Sequence, residues 1–241
     1  MIGAERLPGR DGGPLLVCDH ASNLVPEGIA LGVPAPVLET HVALDIGAGP
    51  LTRALAMRLA APAVLGAWSR LVADCNRPLD HPQFLVSQSD GVPIPANAGL
   101  GAEARRDREA IHHAFHCAVS EAIARHRPRL LVSVHSFTPA LASDPQPRPW
   151  PIGILWNRDS RAAGLALTRL QKDRRIVGPV GANQPYSGRV LNYTMDRHAE
   201  AAGLPYIGFE VRQDGLSDSR GVAQWASILA DCVAAVAAAL P

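Results

Sequence analysis

Three short apolar runs end in residues equipped for chemistry. Leu15-Leu16-Val17-Cys18 leads into Asp19-His20-Ala21-Ser22-Asn23, Leu130-Leu131-Val132-Ser133-Val134 into His135-Ser136, and Tyr206-Ile207-Gly208-Phe209 into Glu210-Val211-Arg212. In open parallel sheets, ligands gather beyond the carboxyl ends of the strands. If these runs are parallel neighbours, the three endings converge. Two imidazoles with one or two carboxylates in such a crevice meet the needs of a catalytic zinc, namely three protein ligands, an open position for water and a base nearby. Either histidine taken singly reads equally well as a satisfied core side chain, and it is the shared placement that points to a metal.

His20 and His135 are therefore the expected metal ligands. Asp45 is the expected third, because it lies four residues after His41 and on a helix the two share a face, where they meet the metal or each other. Asp45 as a helix cap before Gly47 and Gly49 is the competing reading, and Asp19 and Asn23 are alternative donors, the amide being the poorer zinc ligand. Glu210 follows an apolar run, a context that buries part of its side chain and raises its pKa toward general-base duty; a salt bridge to Arg212 is its alternative.

Holding an anionic substrate needs cationic forks. Arg70, Asn76 and Arg77 cluster in one short segment, where an amide and a guanidinium beside Pro78 suit a carboxylate; surface pairing with Asp74 or Asp80 competes with this. Arg70 is placed to stabilise an oxyanion, with Arg212, Tyr186 and Ser136 as further substrate contacts. Ser22 and Ser136 each neighbour a histidine, but neither lies in a nucleophile elbow of the GxSxG type.

These groups need a rigid scaffold. Buried strands are expected at Pro14–Cys18, Pro62–Gly66, Arg129–Val134, Pro151–Trp156 and Pro205–Val211, and helices at Pro50–Leu59, Ala102–Arg127, Arg161–Lys172, Tyr193–Ala202 and Gly221–Leu240. The alternation predicts a three-layer α/β sandwich around a largely parallel sheet. Asp80–Gly101 and Thr138–Pro151, the latter with five prolines, resist this scheme and read as long loops near the site. No repeat or linker divides the chain, so one domain over residues 1–241 is expected.

Composition narrows the partners. The 23 basic residues nearly cancel the 22 acidic ones, which disfavours nucleic acid and anionic membranes. Only Lys172 is a lysine, so nearly all positive charge is arginine, whose planar fork captures carboxylates in bidentate fashion. Cys18, Cys75, Cys117 and Cys232 form no CxxC pair and read as buried, reduced thiols. The first residues lack an apolar leader, no uninterrupted apolar stretch reaches the ~18 residues needed to span a bilayer, and the cytoplasm is the expected compartment. A homo-oligomer is compatible with all of this.

Six segments in register, VCDHASN, HVALDIGAG, SRLVADCNRP, SVHSFTP, NQPYSGR and GFEVRQD, resemble the N-formylglutamate amidohydrolase family over roughly residues 14–218. The resemblance implies a fold like that of zinc carboxypeptidases, with a central mixed sheet, and metal-dependent hydrolysis of a small N-acyl amino acid such as N-formylglutamate. It places His20 and His135 as metal histidines, Glu210 as the base, Asn76 with Arg77 as the carboxylate-binding pair, and Tyr186 at the tyrosine position. One departure is plain: carboxypeptidase-like enzymes usually carry HxxE at the first ligand pair, where this chain has His20-Ala21-Ser22-Asn23. The lost glutamate gives a second reading, a binding or sensor protein that keeps the pocket without metal chemistry.

Overall fold

The structure, a computed structural model, describes residues 3–240. In chain order it contains β1 (Ala4–Leu7), β2 (Pro14–Cys18), α1 (Ala48–Leu59), β3 (Ala63–Gly66), β4 (Gln88–Ser89), β5 (Val92–Pro93), α2 (Ala102–His126), β6 (Leu130–Phe137), β7 (Ile152–Leu155), α3 (Arg161–Gln171), β8 (Val180–Ala182), α4 (Tyr193–His198), β9 (Tyr206–Arg212) and α5 (Ser219–Ala239). Seven strands form one sheet in the order β1-β3-β2-β6-β9-β7-β8. The four central strands β3, β2, β6 and β9 run parallel, while β1 pairs antiparallel to β3 and β7 antiparallel to β9, making the sheet mixed.

Successive side chains on a strand point to opposite faces, and here the two faces build two cores. Leu16, Cys18, Val132, Ile207 and Phe209 pack with α1, α3 and α5. Leu15, Val17, Leu131 and Tyr206 pack with Phe115, Ala118 and Val119 of α2 and Met195 of α4. The near-continuous apolar runs in the sequence thus reflect strands covered on both sides. By length and composition α5 is apolar enough to cross a bilayer, yet its Trp225, Ile228, Leu229 and Val233 are buried in the core shared with α1.

Several expectations shift. β6 continues through Phe137, so His135 lies inside the strand rather than beyond it. The short strands β1, β4, β5 and β8 were not expected, since two to four residues carry too little pattern to register. The 80–101 segment is no plain loop: Asp90 and Gly91, both at positive φ, form the two-residue turn of the β4–β5 hairpin, and Phe84 and Ile94 are buried in a third cluster with Leu71 and Ile111. Cys117 is exposed, whereas the other three free thiols are buried. The expected domain span includes residues 1, 2 and 241, which lie outside the described residues.

Candidate active site

The three endings do converge. β2, β6 and β9 are parallel neighbours, and the β6–β9 register sets His135 directly beside Glu210. Both fall on the α2/α4 face by simple alternation from Leu131 and Tyr206. Asp19 and His20 follow β2, and a close approach holds them there: a Cβ on Gly66 would stand 2.1 Å from the Asp19 carbonyl oxygen, so only glycine fits. Asp45 arrives from the turn before α1, its backbone N–H donating to the His20 carbonyl at 3.0 Å.

The donor atoms of His20, Asp45 and His135 lie within 4.8 Å of one another, and all three residues are buried. Nδ1 of His135 is 2.8 Å from Asp45 Oδ2, and Nδ1 of His20 is 3.4 Å from the same atom. The opposite ring nitrogens meet other carboxylates. His20 Nε2–H donates to Asp74 Oδ1 at 2.8 Å, and His135 Nε2 stands 3.2 Å from Asp19 Oδ2. A carboxylate stands behind each imidazole while its Nδ1 faces Asp45, the arrangement that usually supports metal-binding histidines. Two imidazoles, a carboxylate and this backing fit zinc well.

These backing groups are anchored in turn. Thr194 of α4 donates its hydroxyl to Asp19 Oδ1. Arg70 spans Asp74 Oδ2 at 2.7 Å and Asp45 Oδ1 at 3.3 Å. Burial opposes charge on both histidines, but the surrounding carboxylates overcome it and raise both pKa values, that of His135 well above the ordinary range. Burial likewise opposes ionisation of Asp74, but Arg70 and His20 hold its carboxyl well below the usual range.

Glu210 differs from these aspartates. Burial pushes its carboxyl up, and its Oε2 is buried without a hydrogen-bond partner among the described residues. Arg212, offered by the sequence as its partner, instead binds Asp214 at 2.9 Å and the Arg148 carbonyl at 2.9 Å. A buried carboxyl with an idle oxygen beside a cluster of donors is equipped for proton transfer.

A cleft of about 370 Å³ opens over these groups, lined among others by Asn76, Arg77, Ser136, Tyr186 and Glu210. Asn76 Oδ1 accepts from the Thr194 N–H at 3.0 Å, and Arg77 lies against it through the Asn76 carbonyl at 2.8 Å. Tyr186 is held by Arg148, which donates to its hydroxyl at 2.9 Å and stacks 5.0 Å from its ring centroid. Ser136 lines the cleft, but its hydroxyl donates to the Ile46 carbonyl at 2.7 Å. Arg70 also lines it with both terminal nitrogens engaged by aspartates, while Arg212 does not reach it. His41 and Asp45 are not a helical pair: residues 41–47 form turns, and His41 pairs with Asp90 at 2.9 Å.

Residues 13–217 match the family model described as N-formylglutamate amidohydrolase. The chain belongs to the N-formylglutamate amidohydrolase family. Among solved structures, it is similar to the gene product Atu2144 from Agrobacterium tumefaciens, with 32% identity and a TM-score of 0.91 over 98% of this chain and 95% of that one. The N-formylglutamate amidohydrolase from Ralstonia eutropha JMP134 shares the fold at 17% identity, with a TM-score of 0.73 over 99% of this chain and 98% of that one. The comparison with curated proteins finds no match.

For an amidohydrolase of this family, the sequence reading missed two groups of supporting residues. Asp74 is visible there only as a surface partner for an arginine, although it backs His20. Behind the segment carrying Asp74, Asn76 and Arg77 lie three buried histidines. His116 Nε2–H donates to the Cys75 carbonyl and His112 Nε2–H to the Arg77 carbonyl, each at 2.9 Å, and His116 Nδ1 accepts from His198 Nε2–H at 2.9 Å. Burial lowers their pKa values, to about 3 for His116 and about 4 for His112 and His198, so all three are neutral. The signal available was the i, i+4 spacing of His112 and His116 on the inner face of α2.

Proposed function

We propose that this chain is a zinc-dependent amidohydrolase that cleaves the amide bond of a small N-acyl amino acid, N-formyl amino acids being the simplest. The observation that carries this is the His20–Asp45–His135 donor set beside the idle Glu210 Oε2. Zinc held by these three residues supplies Lewis acidity, polarising a carbonyl and lowering the pKa of water toward ~7.

The chain's own residues account for the rest. Glu210 Oε2 takes a proton from the attacking water as the water oxygen bonds to the amide carbonyl carbon. When the carbon–nitrogen bond breaks, Glu210 returns that proton to the leaving nitrogen, giving a carboxylic acid and a free amino acid. Arg77 and Asn76 hold the substrate carboxylate, and Tyr186, steadied by Arg148, closes one side of the cleft. Arg70 neutralises Asp45 and Asp74 and so positions the donor set, a role its engaged nitrogens favour over direct contact with an oxyanion. Asp45, within 4.8 Å of both histidines, supplies a third ligand without the HxxE glutamate, which favours an enzyme over a metal-free sensor. The partner is a small molecule rather than nucleic acid or membrane, handled by a single cytoplasmic catalytic domain.

Metal content by mass spectrometry, paired with hydrolysis of N-formyl and N-acetyl amino acids with and without chelator, tests this. About one zinc per chain with chelator-sensitive turnover is expected. No bound metal, together with no turnover after zinc is added, would overturn the reading.

A further inference from the structure

The charges around the cleft bear on which acylated amino acid it takes, a question that rests on the amidohydrolase reading. Among the described residues lining the cleft, the arginines are Arg70 and Arg77. Arg70 gives one N–H from each terminal nitrogen to Asp45 and Asp74, and these two carboxylates offset its charge. Arg77 donates Nε–H to Gln83 and one Nη1–H to the Asn76 carbonyl, leaving Nη2 without a partner among the described residues. With the Asn76 amide beside it, that guanidinium edge is enough for one carboxylate.

The hairpin that lines the cleft carries the opposite charge. Asp90 lines the cleft and accepts from His41 at 2.9 Å, from the Ala142 N–H at 3.0 Å, and from both the N–H and the hydroxyl of Ser143 at 2.7 Å. These donors hold its carboxyl below the usual range, so this hairpin wall is anionic at neutral pH. Val86, Leu141 and Phe137 also line the cleft, with the uncharged Gln88, Ser89 and Thr138. A second substrate carboxylate reaching the hairpin would leave water, find Arg70 already neutralised by two aspartates and face the negative charge of Asp90.

We propose that the cleft selects N-acyl amino acids with one carboxylate and a side chain bearing no negative charge, Arg77 taking the carboxylate and the Asp90 wall rejecting acidic side chains. The preference lies in the two segments that Asp90 joins, the β4–β5 hairpin and the proline-rich stretch after β6.

N-formyl-L-glutamine and N-formyl-L-glutamate differ by one charge at nearly equal size, which makes them the natural probes. Calorimetric titration of the zinc-loaded Glu210→Gln protein is expected to show the glutamine compound binding at least about tenfold more tightly. Arg77→Met is expected to abolish binding of both, and Asp90→Asn to narrow the difference between them. Equal or tighter binding of the glutamate compound overturns the proposal, as does failure of both to bind at millimolar concentration. Wild-type kcat/KM values for the same pair give an independent check should Glu210→Gln fold poorly. A glutamine preference in binding without any turnover upholds the selectivity and overturns the hydrolase reading; turnover that favours glutamate does the reverse.

Discussion

His20 and Asp74 form a 2.8 Å hydrogen bond between two buried side chains, made through Nε2 so that Nδ1 faces Asp45. Asp74 in turn is neutralised by Arg70. Such backing typically contributes about 10–100-fold to metal affinity. Asp74→Asn is therefore expected to weaken zinc binding by that factor in a chelator competition, with the fold retained. Unchanged affinity would show that His20 is held by other means.

Glu210→Gln removes the base while keeping shape and burial. Loss of a general acid–base group commonly costs about 10²–10⁴ in rate. The variant is expected to retain zinc and to bind substrate within a few-fold of wild type, while kcat falls by at least about a hundredfold. A kcat within tenfold of wild type would place proton transfer elsewhere.

The buried histidines behind Asn76 and Arg77 predict an acid-sensitive fold. His116 titrates near 6.5 when unfolded but only at about 3 when folded, so between these values the unfolded chain binds more protons. Stability from this group is complete above about pH 6.5 and is lost as pH falls toward 3, reaching about 2 kcal/mol of loss at pH 5. His20 and His135 shift the opposite way, so the contribution is isolated by difference. Urea midpoints at pH 7.5 and 5 are expected to separate less in His116→Gln than in wild type. An equal separation would mean that His116 titrates normally.

Asp90 ties two segments about fifty residues apart, as its bonds to Ala142 and Ser143 show. Asp90→Ala removes three acceptor contacts besides the His41 pair, and limited proteolysis is expected to begin within residues 138–151. The thermal midpoint should move little, because this clasp lies outside the sheet. A large drop in the midpoint with no local cleavage would assign Asp90 a core role instead.

The convergence of His20, His135 and Glu210 is legible in the sequence because apolar runs covered on both faces read as runs, and because a polar residue ending one is conspicuous. The four-residue step from His41 to Asp45 reads as helical, but positive φ at Gly47 delays the helix until Ala48, and Asp45 meets His135 from the turn before α1 instead. Asp74 was hidden because an aspartate four residues from Arg70 looks like a solvated pair until its carboxylate is seen to be buried against His20. Arg212 was overvalued because the string cannot show that Asp214 and the Arg148 carbonyl capture it first. The hairpin was missed although Asp90-Gly91 is a strong turn pair, since strands of two residues leave no alternation to read.

His135 and Glu210 stand on the two longest strands at the centre of the sheet, while Asp90 hangs on a two-stranded ribbon at the periphery. Chemistry and taste are thus written in parts of the molecule that tolerate change very differently. A substitution among the central strands risks the whole core, whereas the ribbon and the proline-rich stretch can be rewritten at little cost. Descendants of such a protein can trade one amino-acid side chain for another while inheriting the hydrolytic centre intact, and divergence in a lineage of this kind should accumulate at residues 80–101 and 138–151 first.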